Sequence, residues 1–461
     1  MIEAQRGTGR ARSGAQLALT ILALVLAAGA TVLVNLGLGT KAGPKLPYFV
    51  VLFVVGYLAG HLAIRRLAPA AEPAFFPAAG LLAGLGFAMI YRLDPTLAID
   101  QAWWMVIGLL AFIGTLAVVR DHRALDGYTY TIGLVAVIML LLPILPKLGL
   151  EINGARVWIH LGHLTFQPAE IGKVLIAVFL ASYLNSKKEM LQMAPRRLGP
   201  FRLPQAKDLG PVLLAWGIAL AVLFFEKDLG QSLLYFGIFV VMLWVATARP
   251  AYLLIGLLLF AAAALFAVAT VSHVQDRVDI WLHATNPSFL FDKGFQLAQG
   301  EFAMATGGIG GTGLGQGLPG IIPYAATDFI FAAIGEELGV IGTTGVLLLF
   351  AVLVGKGLKA ATEQADGFGK LLAAGLSTIL GIQAFIIVGG ITRVIPLTGV
   401  TLPFVSYGGS SLVSNFILLA LLVRISSGPA PRRRRGRPLE PPPSAVPEPE
   451  PEAASPTEVI R

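Results

Sequence analysis

Asp328, Glu336 and Glu337 fall within ten residues of one another in YAATDFIFAAIGEELG, residues 324 to 339 of a chain that is 56% hydrophobic and only 13% charged. A carboxylate in such surroundings can abstract a proton, meet a cation, or cap a helix. Asp328 follows Pro323 and Thr327 and precedes the helical run FIFAAIG, so the spacing predicts a helix N-terminus there. A simple cap would contribute about 1 kcal/mol. Glu336 stands about 12 Å further along the axis and about 80° around it, and Glu337 points almost opposite Asp328. Carboxylates this deep in an apolar segment must face a cavity or a basic partner. For Glu337 a structural pairing is expected.

A second polar set is INGARVWIHLGHLTFQPAEIGK, residues 152 to 173. Pro168 marks a helix start, and Glu170 and Lys173, three residues apart, share one helical face. Two readings stay open: a hidden intrahelical ion pair, or Arg156 and Lys173 countering an anionic substrate while Glu170 orients the lysine. His160 and His163 form an HxxH without an assigned third ligand, so no metal site is read from them. EKDLGQS, residues 226 to 232, interrupts two apolar runs and reads as a tight turn. TGGIGGTGLGQG, residues 306 to 317, could offer backbone N–H groups to phosphate, but no strand precedes it, which excludes a dinucleotide fingerprint. In TRVIPLTGVTLPFVSYGGSS, residues 392 to 411, Pro396, Pro403 and paired glycines break helices at membrane depth, which is tolerated only against protein or a water-filled cavity. Arg393 there is a further cation, either a substrate contact or a helix cap or headgroup partner.

The elements that must position these residues are membrane helices. Mean hydropathy is +0.77, and continuous apolar runs recur near 16–37, 47–66, 76–92, 101–119, 128–146, 167–184, 209–225, 229–247, 250–271, 327–355, 370–392 and 402–424. About 20 residues at 1.5 Å each cross the hydrocarbon core, and continuous rather than alternating hydrophobicity favours helices over a barrel. The reading is therefore an all-α, polytopic integral membrane bundle of about twelve spans. Lys and Arg concentrate in alternate connections (Arg65, Arg66, Arg120, Arg123, Lys187, Lys188, Arg196, Arg197), which predicts both termini in the cytoplasm. The first run is long for a signal peptide and reads as a retained anchor. That placement of charge, more than the net +8 and pI of 9.7, assigns the basic residues to a membrane rather than to nucleic acid. There is no cysteine. Residues 1–15 read as a cytoplasmic N-terminus, 272–326 as a large extracytoplasmic loop, and the Pro, Arg and Glu-rich segment 426–461 as a disordered cytoplasmic tail.

Four blocks in order resemble the SEDS family of shape, elongation, division and sporulation proteins, the RodA/FtsW type: INGARVWI with QPAEIGK, DLGQS, GGIGGTGLGQG with TDFIFAAIGEELG, and LTGVTLPFVSYGGSS. The resemblance covers about 76–424. It implies a ten-helix glycosyltransferase core, here 76–425, to which 16–75 adds two N-terminal helices; IYRLDP and QAWW, with Trp104, would fall at its first and second helices. It further implies polymerisation of lipid II, a diphosphate-linked disaccharide-pentapeptide, into glycan strands at the outer face of the cytoplasmic membrane. A class B penicillin-binding protein would be the transpeptidase partner. Asp328 takes the place of the family's catalytic aspartate. Arg156, Glu170, Lys173, Arg393 and Trp104 are then substrate-binding candidates, and a divalent cation, Mg2+ or Mn2+, an expected cofactor at no assigned site. The family commonly reads PEAHTDF where this chain has PYAATDF, so Tyr324 and Ala326 replace an acid and a histidine; Lys227 replaces a proline. PLTGVTLPF is closer to the elongation branch than to division members. A lipid II flippase, a secondary transporter and a non-catalytic scaffold are rival readings; the transporter predicts inverted repeats, which the sequence does not display.

Overall fold

The computed structural model describes residues 2–39, 46–145, 148–152, 155–161, 164–192, 196–198, 201–203, 217 and 228–428. The span expected at 209–225, together with Lys227, His163 and the tail beyond residue 428, lies outside the described residues. Fourteen helices are described: α1 (Ile2–Gly37), α2 (Leu46–Leu67), α3 (Phe75–Leu93), α4 (Pro95–Val118), α5 (Thr129–Leu141), α6 (Pro168–Gln192), α7 (Leu229–Thr247), α8 (Pro250–Thr270), α9 (Ser272–His283), α10 (Pro287–Leu290), α11 (Phe295–Gly307), α12 (Ile330–Glu363), α13 (Gly367–Ile391) and α14 (Gly409–Ser426). Eleven segments among the described residues are long and apolar enough to cross a membrane. The chain is a polytopic helical membrane protein.

Local chemistry sets the helix starts. Asp94 accepts from the amides of Thr96 and Leu97 while Pro95 opens α4, so this helix begins before the apolar run that announces it in the sequence. Asp228 caps α7 through the Gln231 amide, and Asp366 caps α13 through Gly369. α3, α13 and α14 are buried along most of their length and form the centre of the bundle, whereas α5 and α8 expose most of theirs.

Two features were not visible in the sequence pattern, and a third, the helix break after α13, shifts the start of the last helix. The segment between α5 and α6 folds into an antiparallel sheet of β1 (Gly149–Ile152), β2 (Ala155–Leu161) and β3 (Leu164–Phe166), with Ile159 facing Gly149 on one side and Phe166 on the other. The long connection 272–326 is folded, carrying α9, α10 and α11. The last helix starts at Gly409 rather than near 402, because 392–408 is irregular: Arg393 and Phe404 take positive φ, and the Ser406 hydroxyl accepts the Leu402 amide that a helix would have used.

α12 is itself broken at Gly339, whose φ of 62° and ψ of −162° leave the helical region. The break frees backbone groups that the glycine-rich loop then uses. Val340 N and Ile341 N donate to the carbonyls of Gly308 and Ile309, and Thr312 N and Gly313 N donate to the carbonyls of Glu336 and Glu337. The loop thus docks edge-on against the helix. A Cβ at Gly307 or Gly311 would run into the backbone of residues 335–337, which is why glycine stands there.

Candidate active site

Asp328 is held from two sides. The Ser406 hydroxyl donates to Thr327 O and Tyr407 N donates to Ala326 O, fastening the segment to the irregular stretch 401–408. From the folded connection, Gln296 Nε2 donates to Pro323 O at 3.0 Å. The irregular stretch is seated by glycines that admit close neighbours: a Cβ at Gly409 would collide with the Trp104 ring, and one at Gly86 with the Val405 backbone. Tyr324, Arg393 and Phe404 are non-glycine residues at positive φ, between 57° and 65°. They place strained backbone around this site, at on the order of 1 kcal/mol each.

These pieces enclose a cavity of about 570 Å³. Trp104 from α4, Trp158 from β2, Glu170 from α6, Asp228 and Gln231 at the start of α7, His273 and Arg277 from α9, Asp328, and residues 398–401 and 407–409 all line it. Asp328 accepts the Thr327 hydroxyl at 2.9 Å. Burial raises the Asp328 carboxyl above the ordinary aspartate range, while the Thr327 hydrogen bond and the Arg277 charge oppose that rise. Burial also pushes Asp228 up to about 6, with the Glu170 charge adding to it and Arg277 opposing it. Arg277 therefore sits electrostatically between two aspartates. Gln231 Oε1 and Thr398 Oγ1 are buried polar atoms without a protein hydrogen bond among the described residues, and both belong to cavity-lining side chains. Such atoms call for a partner from outside the protein.

Of the residues singled out in the sequence, the structure brings Asp328, Glu170 and Trp104 to this cavity. Lys173 is fully buried behind it: Nζ lies 2.5 Å from Glu170 Oε2 and 2.9 Å from Gln383 Oε1, while Glu170 also accepts from Gln231 and Ser414. The hidden ion pair is the arrangement found. Arg156 is half exposed on β2, 3.7 Å from Glu151, while its neighbours Val157 and Trp158 line the cavity. Arg393 clamps the folded connection, donating to Trp281 O and Leu282 O and pairing with Glu301 at 3.3 Å. The glycine-rich loop turns several of its amides inward: besides the backbone bonds above, Gly315 N donates to Glu337 Oε2 and, just beyond the loop, Leu318 N to Glu336 Oε1. Glu337 completes its pairing with Arg92 at 3.0 Å.

The cavity's guanidinium, Arg277, lies in the connection 272–326, which the sequence presents only as a large loop. Its signal was the His273–Arg277 spacing of four residues, which shares a face only once 272–283 is known to be helical. Among the described residues no three His, Asp or Glu side chains group as a metal cluster.

A helical membrane bundle with a carboxylate and a guanidinium lining one polar cavity defines a class: a polytopic membrane protein with a buried polar site. The model of the FtsW/RodA/SpoVE family, described as cell cycle protein, matches residues 74–429, and the chain belongs to this family. It is 43% identical to peptidoglycan glycosyltransferase RodA of Mycobacterium tuberculosis (strain ATCC 25618 / H37Rv) over 440 residues, covering 93% of each chain. It is 33% identical to stage V sporulation protein E of Bacillus subtilis (strain 168) over 361 residues, covering 75% of this chain and 94% of the other. Among solved structures, one described as the structural coordination of polymerization and crosslinking by a peptidoglycan synthase complex superposes with a TM-score of 0.63 at 28% identity, covering 77% of this chain and 97% of that one. The rod shape determining protein RodA of Thermus thermophilus superposes at 0.55 with 26% identity, covering 77% and 96%.

Proposed function

We propose that this cavity polymerises glycan strands from lipid II, with Asp328 as the general base. The chain is a peptidoglycan glycosyltransferase of the RodA type. The observation that carries the catalytic reading is the facing of Asp328 and Arg277 across one cavity that also holds Asp228.

The Asp328 carboxylate takes the proton of the acceptor sugar hydroxyl as its oxygen attacks the sugar carbon bearing the diphosphate. The bond from that carbon to the diphosphate oxygen breaks, and the lipid diphosphate leaves with the electron pair. Arg277 meets the charge developing on the leaving group, with His273 on the same helical face. Raised out of the ordinary aspartate range, Asp328 is a stronger base than a free aspartate while Arg277 still favours its charged form. Glu170, held by Lys173, Gln231 and Ser414, orients the wall rather than the proton transfer. Trp104 offers an aromatic face to a sugar ring.

A divalent cation, Mg2+ or Mn2+, fits as a companion of the substrate: Asp228 would hold it together with diphosphate oxygens, as hard cations bind through one or two carboxylates plus phosphate, which leaves Asp328 to act as the base. When bound it would neutralise charge on the leaving group. The Lys and Arg asymmetry supports a cavity open to the extracytoplasmic side with both termini in the cytoplasm. A class B penicillin-binding protein is the proposed partner, by analogy with the synthase complex to which this chain is structurally similar.

The test is polymerisation of lipid II by purified protein with its partner and a divalent cation, comparing wild type with Asp328→Asn. Glycan from wild type and none from the folded variant is expected. An equally active variant removes Asp328 from the chemistry, and transport of lipid II without polymer from wild type would move the function to flipping.

A further inference from the structure

We propose that α1, the first of the two N-terminal helices, is a positioning element for the catalytic end of α12, acting through the glycine-rich loop, with Gly37 and Gln316 as the coupling residues. The inference rests on the reading of Asp328 as the base.

The family model begins at residue 74, so α1 and α2 lie outside it, yet the match to the mycobacterial RodA covers 93% of this chain and so extends into them. At its last turn α1 meets the loop backbone to backbone. A Cβ at Gly37 would run into the Leu314 carbonyl and stand 3.0 Å from Gly315 Cα. Gly315, at φ +79°, would with a Cβ stand 2.9 Å from Val34 O. Gln316 Nε2 donates to Gly37 O at 3.1 Å. One helix over, Tyr91 donates to Asn35 Oδ1 at 3.3 Å, and the adjacent Arg92 donates to both Glu337 Oε1 at 3.0 Å and Gly317 O at 2.8 Å. The loop in turn gives Gly315 N to Glu337 and Leu318 N to Glu336.

The end of α1, the end of α3, the loop and the first turns of α12 therefore form one hydrogen-bonded block, and Asp328 stands two residues before α12. Seven of the twelve residues 306–317 are glycine, so the loop loses much entropy on taking a single conformation and depends on its walls. α1 supplies one of them. A helix serving only as an anchor needs no such approach: Gly14 and Gly29 on the same helix have nothing within 4 Å of a built Cβ.

The test uses the full chain with its partner and measures kcat and KM for lipid II, alongside amide deuterium exchange of residues 309–318. Gly29→Ala is expected to match wild type. Gly37→Ala is expected to lower kcat roughly tenfold with KM within about twofold, because small displacements of a reacting group cost rate rather than ground-state binding, and to speed loop exchange. Gln316→Ala, which adds no bulk, is expected to lower kcat by about threefold in the same direction. Wild-type kcat in Gly37→Ala overturns the proposal whether or not exchange changes, as does a loss confined to KM. Should Gly37→Ala not fold, unchanged kcat in Gln316→Ala overturns it. Asp328→Asn run in parallel separates the two readings: polymer from that variant removes the catalytic assignment, while loop exchange still reports the contact.

Discussion

Asp328 and the pair Glu336–Glu337 belong to one short stretch of chain and have the same chemistry available, yet the fold uses them oppositely. Glu337 is fully buried, with one oxygen on Arg92 and the other on the Gly315 amide, and Glu336 accepts the Leu318 amide. Asp328 takes the Thr327 hydroxyl and opens onto a cavity, where Arg277 faces it without a direct hydrogen bond among the described residues. A buried carboxylate whose oxygens are matched by protein donors holds structure. One that shares a cavity with an uncommitted cation is available to a substrate.

The sharpest attempt to break this contrast is the pair Asp328→Asn and Glu337→Gln. Asp328→Asn should lower lipid II polymerisation by about 10²- to 10⁴-fold with unfolding temperature near that of wild type, as loss of a general base does. Glu337→Gln should do the reverse in kind, reducing stability by roughly 3 kcal/mol in denaturant or thermal unfolding because Arg92 loses its charged partner. If Glu337→Gln is fully stable and inactive, the division between structural and chemical carboxylates fails.

Arg277→Gln should cost about 10²-fold in kcat through the lost charge at the leaving diphosphate. It also tests the coupling to Asp328 by pH. Because Arg277 lowers the Asp328 pKa, its removal should move the acid limb of the kcat/KM profile to higher pH; a limb that stays in place separates the two residues.

The smallest effect concerns Asp228, whose carboxyl is raised to about 6 by burial. The folded protein then holds this proton more tightly than the unfolded chain does, so charged Asp228 disfavours folding above that pH. The stability advantage of Asp228→Asn over wild type should grow as pH rises from about 4 to about 6 and then level off. A difference that is flat across that window would place Asp228 in water.

Much of this was legible before any coordinates. The apolar runs at 229–247 and 250–271 coincide with α7 and α8 to within a residue because length and hydropathy alone define a span. Pro168 marked the start of α6, and the structural pairing expected for Glu337 is found on Arg92. The β1–β3 sheet and the helices of 272–326 were not legible, because short polar segments carry no strong period and fold on contacts with the bundle. Lys173 and Arg277 show the limit most plainly. Both are basic residues in a largely apolar chain, and nothing in their spacing says which is locked behind Glu170 and which reaches the cavity.

The sequence by itself determined a polytopic helical membrane protein, the place of Asp328 at a helix start, and the helix breaks around Pro396 and Pro403. Periodicity, proline geometry and the cost of carboxylates in an apolar chain are local properties that each segment carries alone. Only the tertiary structure decided that Arg277 rather than Lys173, Arg156 or Arg393 faces Asp328, and that the glycine-rich loop spends amides on Glu336 and Glu337 and carbonyls on the amides that follow the break at Gly339. Which donor meets which acceptor depends on the approach of segments far apart in the chain, and long-range approach leaves no period in a sequence to read.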